Sequence, residues 1–276
     1  MGLRTLIEPA SEPVSAAQLA QFLRVDQNAD ADMIAALGLS ARRWCEEYTK
    51  RRFISQTVRL TLDFFPGFID SRITGSNFAT PLIGGSTALL AGIRYAIILP
   101  FPPVSSVVQL AYIDVEGNPQ TLNPATQYEQ DLVSQPARLA PTFGQVWPVA
   151  RVVTNAVTVD FVAGYGGNAT FSLGVGPGAV TSGYTFLPTD VGRPITVGAV
   201  STTVATVDAG SNATLAAPLT VPFVNGAAYL GAPVPPNICT AILFLARYWY
   251  DLGNVEAASI PDVVQSLLSP YRDLRI

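Results

Sequence analysis

Residues 34–64, IAALGLSARRWCEEYTKRRFISQTVRLTLDF, change period partway along, and that change decides the fold class. In the first half Ile34, Leu37, Ala41, Trp44, Cys45 and Tyr48 recur at three- and four-residue steps, the apolar stripe of an α-helix. Arg42, Arg43, Glu46, Glu47 and Lys50 read as the solvated face of that helix. Arg51 and Arg52 follow at its end, where positive charge complements the helix dipole. From Gln56 the step becomes two: Val58, Leu60, Leu62 and Phe64 alternate with Thr57, Arg59, Thr61 and Asp63, a half-buried strand.

Working outward, the upstream chain adds a shorter helix. Ser15 followed by Gln18 forms a capping box, and Leu19, Phe22 and Leu23 give the apolar side. A polar break from Asp26 leads to Asp30, expected to cap the next helix. Downstream, Gly67 to Ile93 has no period and reads as a long surface excursion. Leu99 to Pro103 is extended, because proline removes a ladder donor and biases its predecessor away from helix. Val107 to Ile113 is a strand, Asp114 to Asn118 a turn containing Gly117, and Val157, Val159, Phe161 and Ala163 share one face of a further strand, closed by Gly164 to Gly167.

Between Asn168 and Leu230 only Asp190, Arg193 and Asp208 are charged. Apolar runs at Pro194–Val200, Thr202–Val207 and Ala213–Leu215 predict a small all-β insert, with the glycines of residues 174–178 as a linker into it. The chain then returns to helix, with Ile238, Ala241, Ile242, Leu245, Trp249 and Leu252 in one stripe. Ser259 is expected to cap a last helix whose Val263, Val264, Leu267 and Leu268 face inward. Pro270 ends that helix, leaving Tyr271 to Ile276 as a tail. The expected architecture is α+β: a small bundle of N- and C-terminal helices, a central antiparallel β region and an inserted β domain. The expected domains are 1–166, including the excursion at 67–93, then 167–231 for the insert, and 232–276 for the helices that complete the body.

Composition narrows the function classes. Charged residues are 13% of the 276 against 49% hydrophobic, and about a quarter is ordinary for a soluble domain, so part of the surface is expected to meet other protein. Of the 16 basic residues only Lys50 is lysine, and arginine suits planar pairing at interfaces. A net charge of -4 argues against tight DNA binding, which needs clustered bases, but allows a conduit through which DNA slides. With 0 histidines the commonest general base and the usual nitrogen metal ligand are missing. Cys45 and Cys239 read as buried free thiols, too few for a disulfide framework or a zinc cluster. Met1 to Pro13 contains charges and no apolar run, so no signal peptide is expected, and no stretch is apolar enough for a membrane span.

Candidate motifs mostly give way to plainer readings. Asp26, Asn28, Asp30 and Asp32 have the spacing of the first ligands of a calcium loop, but Ala31 and Leu37 stand where it needs glycine and glutamate. Gly174 to Gly178 lacks the Lys-Ser/Thr of a phosphate loop. No facing pair of carboxylates supports a hydrolase, so no enzyme, cofactor or metal is expected. Arg42, Arg43, Glu46, Lys50, Arg51 and Arg52 are candidates for pairing between subunits, with a solvated face as the alternative. Trp147, Trp249, Tyr250 and Tyr271 are candidate core or interface anchors.

Together these stretches resemble the head–tail connector family of tailed bacteriophages and prophages, also called adaptor or head-completion proteins. The matching pieces are Pro13-Val14-Ser15, Leu23-Arg24-Val25-Asp26, Arg52 with Gln56-Thr57, Leu99-Pro100, Pro102-Pro103-Val104, and Tyr112 with Asp114 and Gly117. Trp147-Pro148, Asn155-Ala156-Val157, Ala163-Gly164-Tyr165-Gly166, Trp249-Tyr250 and Leu267-Leu268-Ser269-Pro270-Tyr271-Arg272 complete them. The residues at 67–93 and 168–230 depart from the compact pattern of the family.

The resemblance implies a homo-oligomeric ring of twelve copies docked under a portal protein in the virion. Such a ring extends the DNA channel without sequence-specific binding and offers a platform for the tail or a stopper protein. It further implies synthesis in a bacterial host cytoplasm and a C-terminal segment that reaches the portal, carried here onto Leu267, Leu268, Tyr271, Arg272, Arg275 and Ile276. The alternative reading is a fibre or baseplate-type appendage whose β insert binds carbohydrate.

Overall fold

A computed structural model describes residues 1–9, 12–25, 30–66, 95–173, 180–182, 186, 190–197, 200–208, 213–217, 223–251 and 260–273. It combines helices with antiparallel sheets, and the chain divides into two compact units. One comprises Met1–Ile7 and Thr57–Val162, the other Glu8–Gln56 and Ala163–Ile276. The expected excursion at 67–93, the linker at 174–178, and Leu252 and Ser259 lie outside the described residues.

Among its described residues the first unit is all β. Its strands are β1 (Gly2–Ile7), β2 (Gln56–Leu62), β3 (Ile97–Leu99), β4 (Val104–Ile113), β5 (Pro119–Thr121), β6 (Tyr128–Asp131), β7 (Ala137–Pro141) and β8 (Val157–Ala163). Five of them form a sheet in the order β1-β2-β8-β4-β5, and three form a second in the order β3-β7-β6. The alternation expected from Gln56 produces β2, with Val58 and Leu60 buried. It ends earlier than expected: Phe64 is exposed and Phe65 takes the buried place, stacked on Trp147 at 4.9 Å. The cause is a bend at Asp63, whose carboxylate accepts the Asn155 amide at 2.8 Å. Trp147 also donates its indole N–H to the Tyr95 carbonyl at 2.6 Å, satisfying the one polar atom its burial would orphan.

Between the neighbouring strands β2 and β8, Arg59 forks onto Asp160 with two bonds of 2.7 Å, the strong bidentate form of a charged hydrogen bond. The Asp114–Asn118 turn forms as expected: Asp114 accepts the Asn118 amide and the Gln120 side chain, both at 2.8 Å. Strands β1, β3, β5, β6 and β7 were not expected. They are short or, like Gly2–Ile7, lack a clean two-residue alternation, and they exist because a neighbouring strand pairs with them.

The second unit holds the helices α1 (Ala16–Leu23), α2 (Ala31–Thr49), α3 (Pro236–Asp251) and α4 (Asp262–Leu268), followed by a 3₁₀ turn over Ser269–Tyr271. The capping box of α1 is present, with the Ser15 hydroxyl accepting the Gln18 amide at 3.2 Å. Asp30 occupies the N-cap of α2, but its side chain makes no capping bond. The expected stripes meet: Leu19, Leu23, Ile34, Ala41, Cys45, Ile238, Ala241, Ile242, Leu245, Val264 and Leu268 are buried in one cluster. Val263, expected inward, is exposed, because the seven residues of α4 carry only Val264 and Leu268 to the buried side. Arg51 and Arg52 fall beyond the helix end, where Lys50 caps it in the left-handed conformation.

The same unit contains a closed antiparallel barrel of β9 (Gly166–Leu173), β10 (Val180–Ser182), β11 (Pro194–Val197), β12 (Val200–Val207), β13 (Ala213–Leu215) and β14 (Phe223–Gly231), ordered β10-β13-β12-β11-β14-β9. Phe186, Ile195, Val204, Ala213 and Leu215 are buried, and closure removes the open edges that a small sheet would expose. Asp190 and Arg193, two of its three charges, pair at 2.6 Å.

Entry into the barrel turns on Gly164, with φ +121°; a Cβ there would lie 2.4 Å from the Ile54 backbone. Gly192 has φ +83° with open space around it. Gly164→Ala is therefore expected to cost more than ~3 kcal/mol, combining backbone strain with a clash against main chain, and Gly192→Ala about 1–2 kcal/mol from strain alone. Chemical denaturation of the two variants checks the order; equal losses would contradict it.

Candidate functional site

The candidate surface is built on the last turns of α2. Residues 42 and 46 are one turn apart and so share a side of the helix. That side is covered, contrary to the solvated face expected: Arg42 is 2% exposed and Glu46 3%. The Glu46 carboxylate accepts Arg42 Nη1 at 2.9 Å, the Phe53 amide at 2.8 Å and Gln56 Nε2 at 3.4 Å. Arg42 Nε donates to Glu12 at 2.6 Å.

Burial pushes the Glu46 carboxyl up, against the pull of Arg42 and the Phe53 amide. For Arg42, burial disfavours the charge, but Glu46 and Glu12 outweigh it and hold the guanidinium protonated. The neighbouring Cys45 thiol is pushed up to about 12, first by burial and then by Glu46. Arg42 and Glu46 are thus internal supports rather than groups offered to another subunit. A helical stripe read from apolar residues alone could not register that Glu12 and Phe53 would cover them.

Glu47, one position on, is solvated, with Lys50 at 3.5 Å and Arg52 at 3.3 Å. Arg43 is exposed and lies 3.9 Å from Glu8, a surface pair of small energetic weight. Trp44 stacks on Tyr48 at 5.1 Å, and the Arg272 guanidinium lies 5.1 Å from the centre of the Tyr48 ring, within cation–π range. Arg51 Nε donates to the Tyr271 carbonyl, and the Asp273 amide donates to the Thr49 carbonyl at 2.9 Å. The two sets of residues singled out from sequence, 220 positions apart, therefore meet at the end of α2.

Within this combined patch Arg43, Glu47 and Arg272 are exposed, while Lys50, Arg51, Arg52, Leu267 and Tyr271 are half-buried. Leu268 is fully buried in the helical core and unavailable to a partner; Arg275 and Ile276 lie outside the described residues. The tail is pinned to α2 as far as Asp273, because Thr49 and Arg51 supply bonds its backbone can use.

A second surface was missed from sequence. Phe143, Val146, Val149 and Val152 in the first unit are 98%, 73%, 56% and 65% exposed, on a non-periodic stretch whose apolar content is legible but whose exposure is not. Among the described residues no cluster of His, Cys, Asp or Glu could hold a metal ion, and no helix is long and apolar enough to cross a membrane.

No family model matches the chain, and no curated protein matches it. Solved structures do share its fold. A chain in the virion of a native gene transfer agent particle aligns over 100% of this chain and 97% of its own, with a TM-score of 0.56 and 16% identity. Chains from the neck of the empty particle, computed with C6 symmetry, and from the neck of the native particle, computed with C12 symmetry, give TM-scores of 0.55 and 0.53 at the same identity and coverage. At that identity the likeness is one of fold.

Two outcomes follow from the buried node. Glu46→Ala leaves the Arg42 charge without its inner partner and is expected to cost about 3–5 kcal/mol, whereas a joint replacement of both residues by apolar ones costs less than that single change. Denaturant melts of the two variants decide it. Cys45 is expected to resist a thiol reagent at pH 8 in the native protein and to react once denaturant is added; rapid native modification of Cys45 would contradict its burial.

Proposed function

We propose that the chain is a structural, non-catalytic subunit of a phage-type particle. In this reading it forms a head–tail adaptor ring of twelve copies beneath a portal protein and carries the platform on which a tail or stopper protein docks. The observation that supports it most is a fold shared along the whole chain with a chain from a particle neck computed with C12 symmetry. The sequence stretches that resemble the connector family point the same way.

The helices of the second unit serve as the body of the subunit, and the barrel, residues 166–231, as a domain inserted into it. The portal-facing contacts are assigned to the C-terminal turn at the end of α2, through Tyr271 and Arg272, and pairing between subunits to Arg43 and Lys50 beside it. Arg42, Glu46 and Leu268 hold that patch in shape. DNA passes through the ring lumen without sequence-specific contacts, in keeping with a net charge of -4. The subunit is made in the bacterial host cytoplasm and ends in the virion.

Removing Leu267 to Ile276 would take Leu268 out of the core, so a point variant isolates docking better than a truncation. Purified protein mixed with portal particles is expected to join them in about twelve copies, read by native mass spectrometry. Arg272→Glu is expected to lower that occupancy at least tenfold at unchanged melting temperature. A stable trimer that ignores portals would overturn the reading in favour of an appendage.

A further inference from the structure

The five-stranded sheet of the first unit has two open edges, and they differ. On one side lies β1, six residues long and, among the described residues, paired only through β2. On the other, β5 covers β4 only at Ala111–Ile113, and Leu122 adds one bond to Leu110. Among the described residues no strand pairs with the outer side of β4 from Val104 to Gln109, a stretch of the same length as β1.

An open edge presents a row of unpaired N–H and C=O groups and is a template for another chain. Proteins ordinarily guard such edges with charge or proline. Val104–Gln109 reads VSSVVQ and carries neither, and β1 carries only Arg4 and a register shift between Thr5 and Ile7. Ser105, Val108 and Gln109 are exposed on β4, as are Leu3, Arg4, Leu6 and Ile7 on β1.

We propose that β1 of one copy adds to the Val104–Gln109 edge of β4 in the next copy, so that neighbouring subunits are joined by a continuous β-sheet. The occupant is a second copy of this chain because the two open edges, one without charge or proline and the other with a single arginine, are of equal length and lie on opposite sides of one sheet. Head-to-tail addition of that kind repeats one heterologous contact and closes into a ring when the rotation between copies divides a full turn, whereas edge-to-edge pairing of like strands stops at a dimer. The backbone bonds supply affinity, and exposed Leu3, Leu6 and Val108 supply apolar cover. This inference rests on the ring reading above and adds the contact that closes it.

The test uses full-length protein assembled on portal particles. Cysteine is placed at Leu3 or Thr5 together with Ser105 or Val107, four combinations that scan the register, each with Cys239→Ser, and mild oxidation is applied. The expected result is a ladder of covalent multimers beyond the dimer for at least one combination, and none for the controls with one introduced cysteine, in which Cys45 stays buried. Rings that assemble but cross-link in no combination, and that also survive deletion of residues 2–7, would overturn the strand contact while leaving the ring reading intact. Covalent dimers from Thr5→Cys alone would overturn it in favour of like-edge pairing. Failure of the unmodified protein to join portals would instead remove the ring reading on which the inference stands.

Discussion

A carboxylate buried beside the helical core must be paired, and much of the second unit is arranged around that requirement. Glu46 draws one donor from its own helix, Arg42, and two from the chain that follows, the Phe53 amide and Gln56. To deliver them the chain reverses at Lys50, in the left-handed conformation, and returns past the end of α2. The returning segment then organises what touches it. The Tyr165 amide donates to the Phe53 carbonyl, the Ser55 amide to the Gly166 carbonyl, and Arg193 Nη2 to the Ser55 hydroxyl at 2.9 Å. The first strand of the barrel and the C-terminal turn are thereby both tied to residues adjoining one buried ion pair.

This arrangement also accounts for the use of arginine. Fifteen of the sixteen basic residues are arginine, a composition that suits partner interfaces. Several of them work inside the chain instead: Arg42 with Glu12 and Glu46, Arg59 across β2 and β8 to Asp160, and Arg193 between Asp190 and Ser55. The planar fork that favours arginine at interfaces favours it equally where one cation must bridge two acceptors within a fold. Arg43 and Arg272 are exposed, Arg272 over the Tyr48 ring, and are among the residues proposed here for partner contacts.

The periodic elements were legible in the sequence. The capping box at Ser15, the stripes of α2 and α3 and the alternation at Val58 and Leu60 each follow from local spacing. Strands β5, β6 and β7 were not, since their three to five residues gain their conformation from pairing rather than from pattern. The sense in which Arg42 and Glu46 matter was hidden too. Their spacing places them on one face, but only tertiary contact with Glu12 and Phe53 makes that face internal. Leu268 was read correctly as inward-facing and then assigned to a partner, two roles the packed core does not allow together.

The proposed role depends on the chain occupying the neck of a phage-type particle. Cryo-electron microscopy of particles purified from cells that express the chain, reconstructed around the neck with and without imposed symmetry, tests that position most directly. The account predicts a ring of twelve copies directly beneath the portal, with the α2 end and the C-terminal turn against it. Density for the chain at the tail tip or on a fibre, with another protein filling the ring, would contradict it.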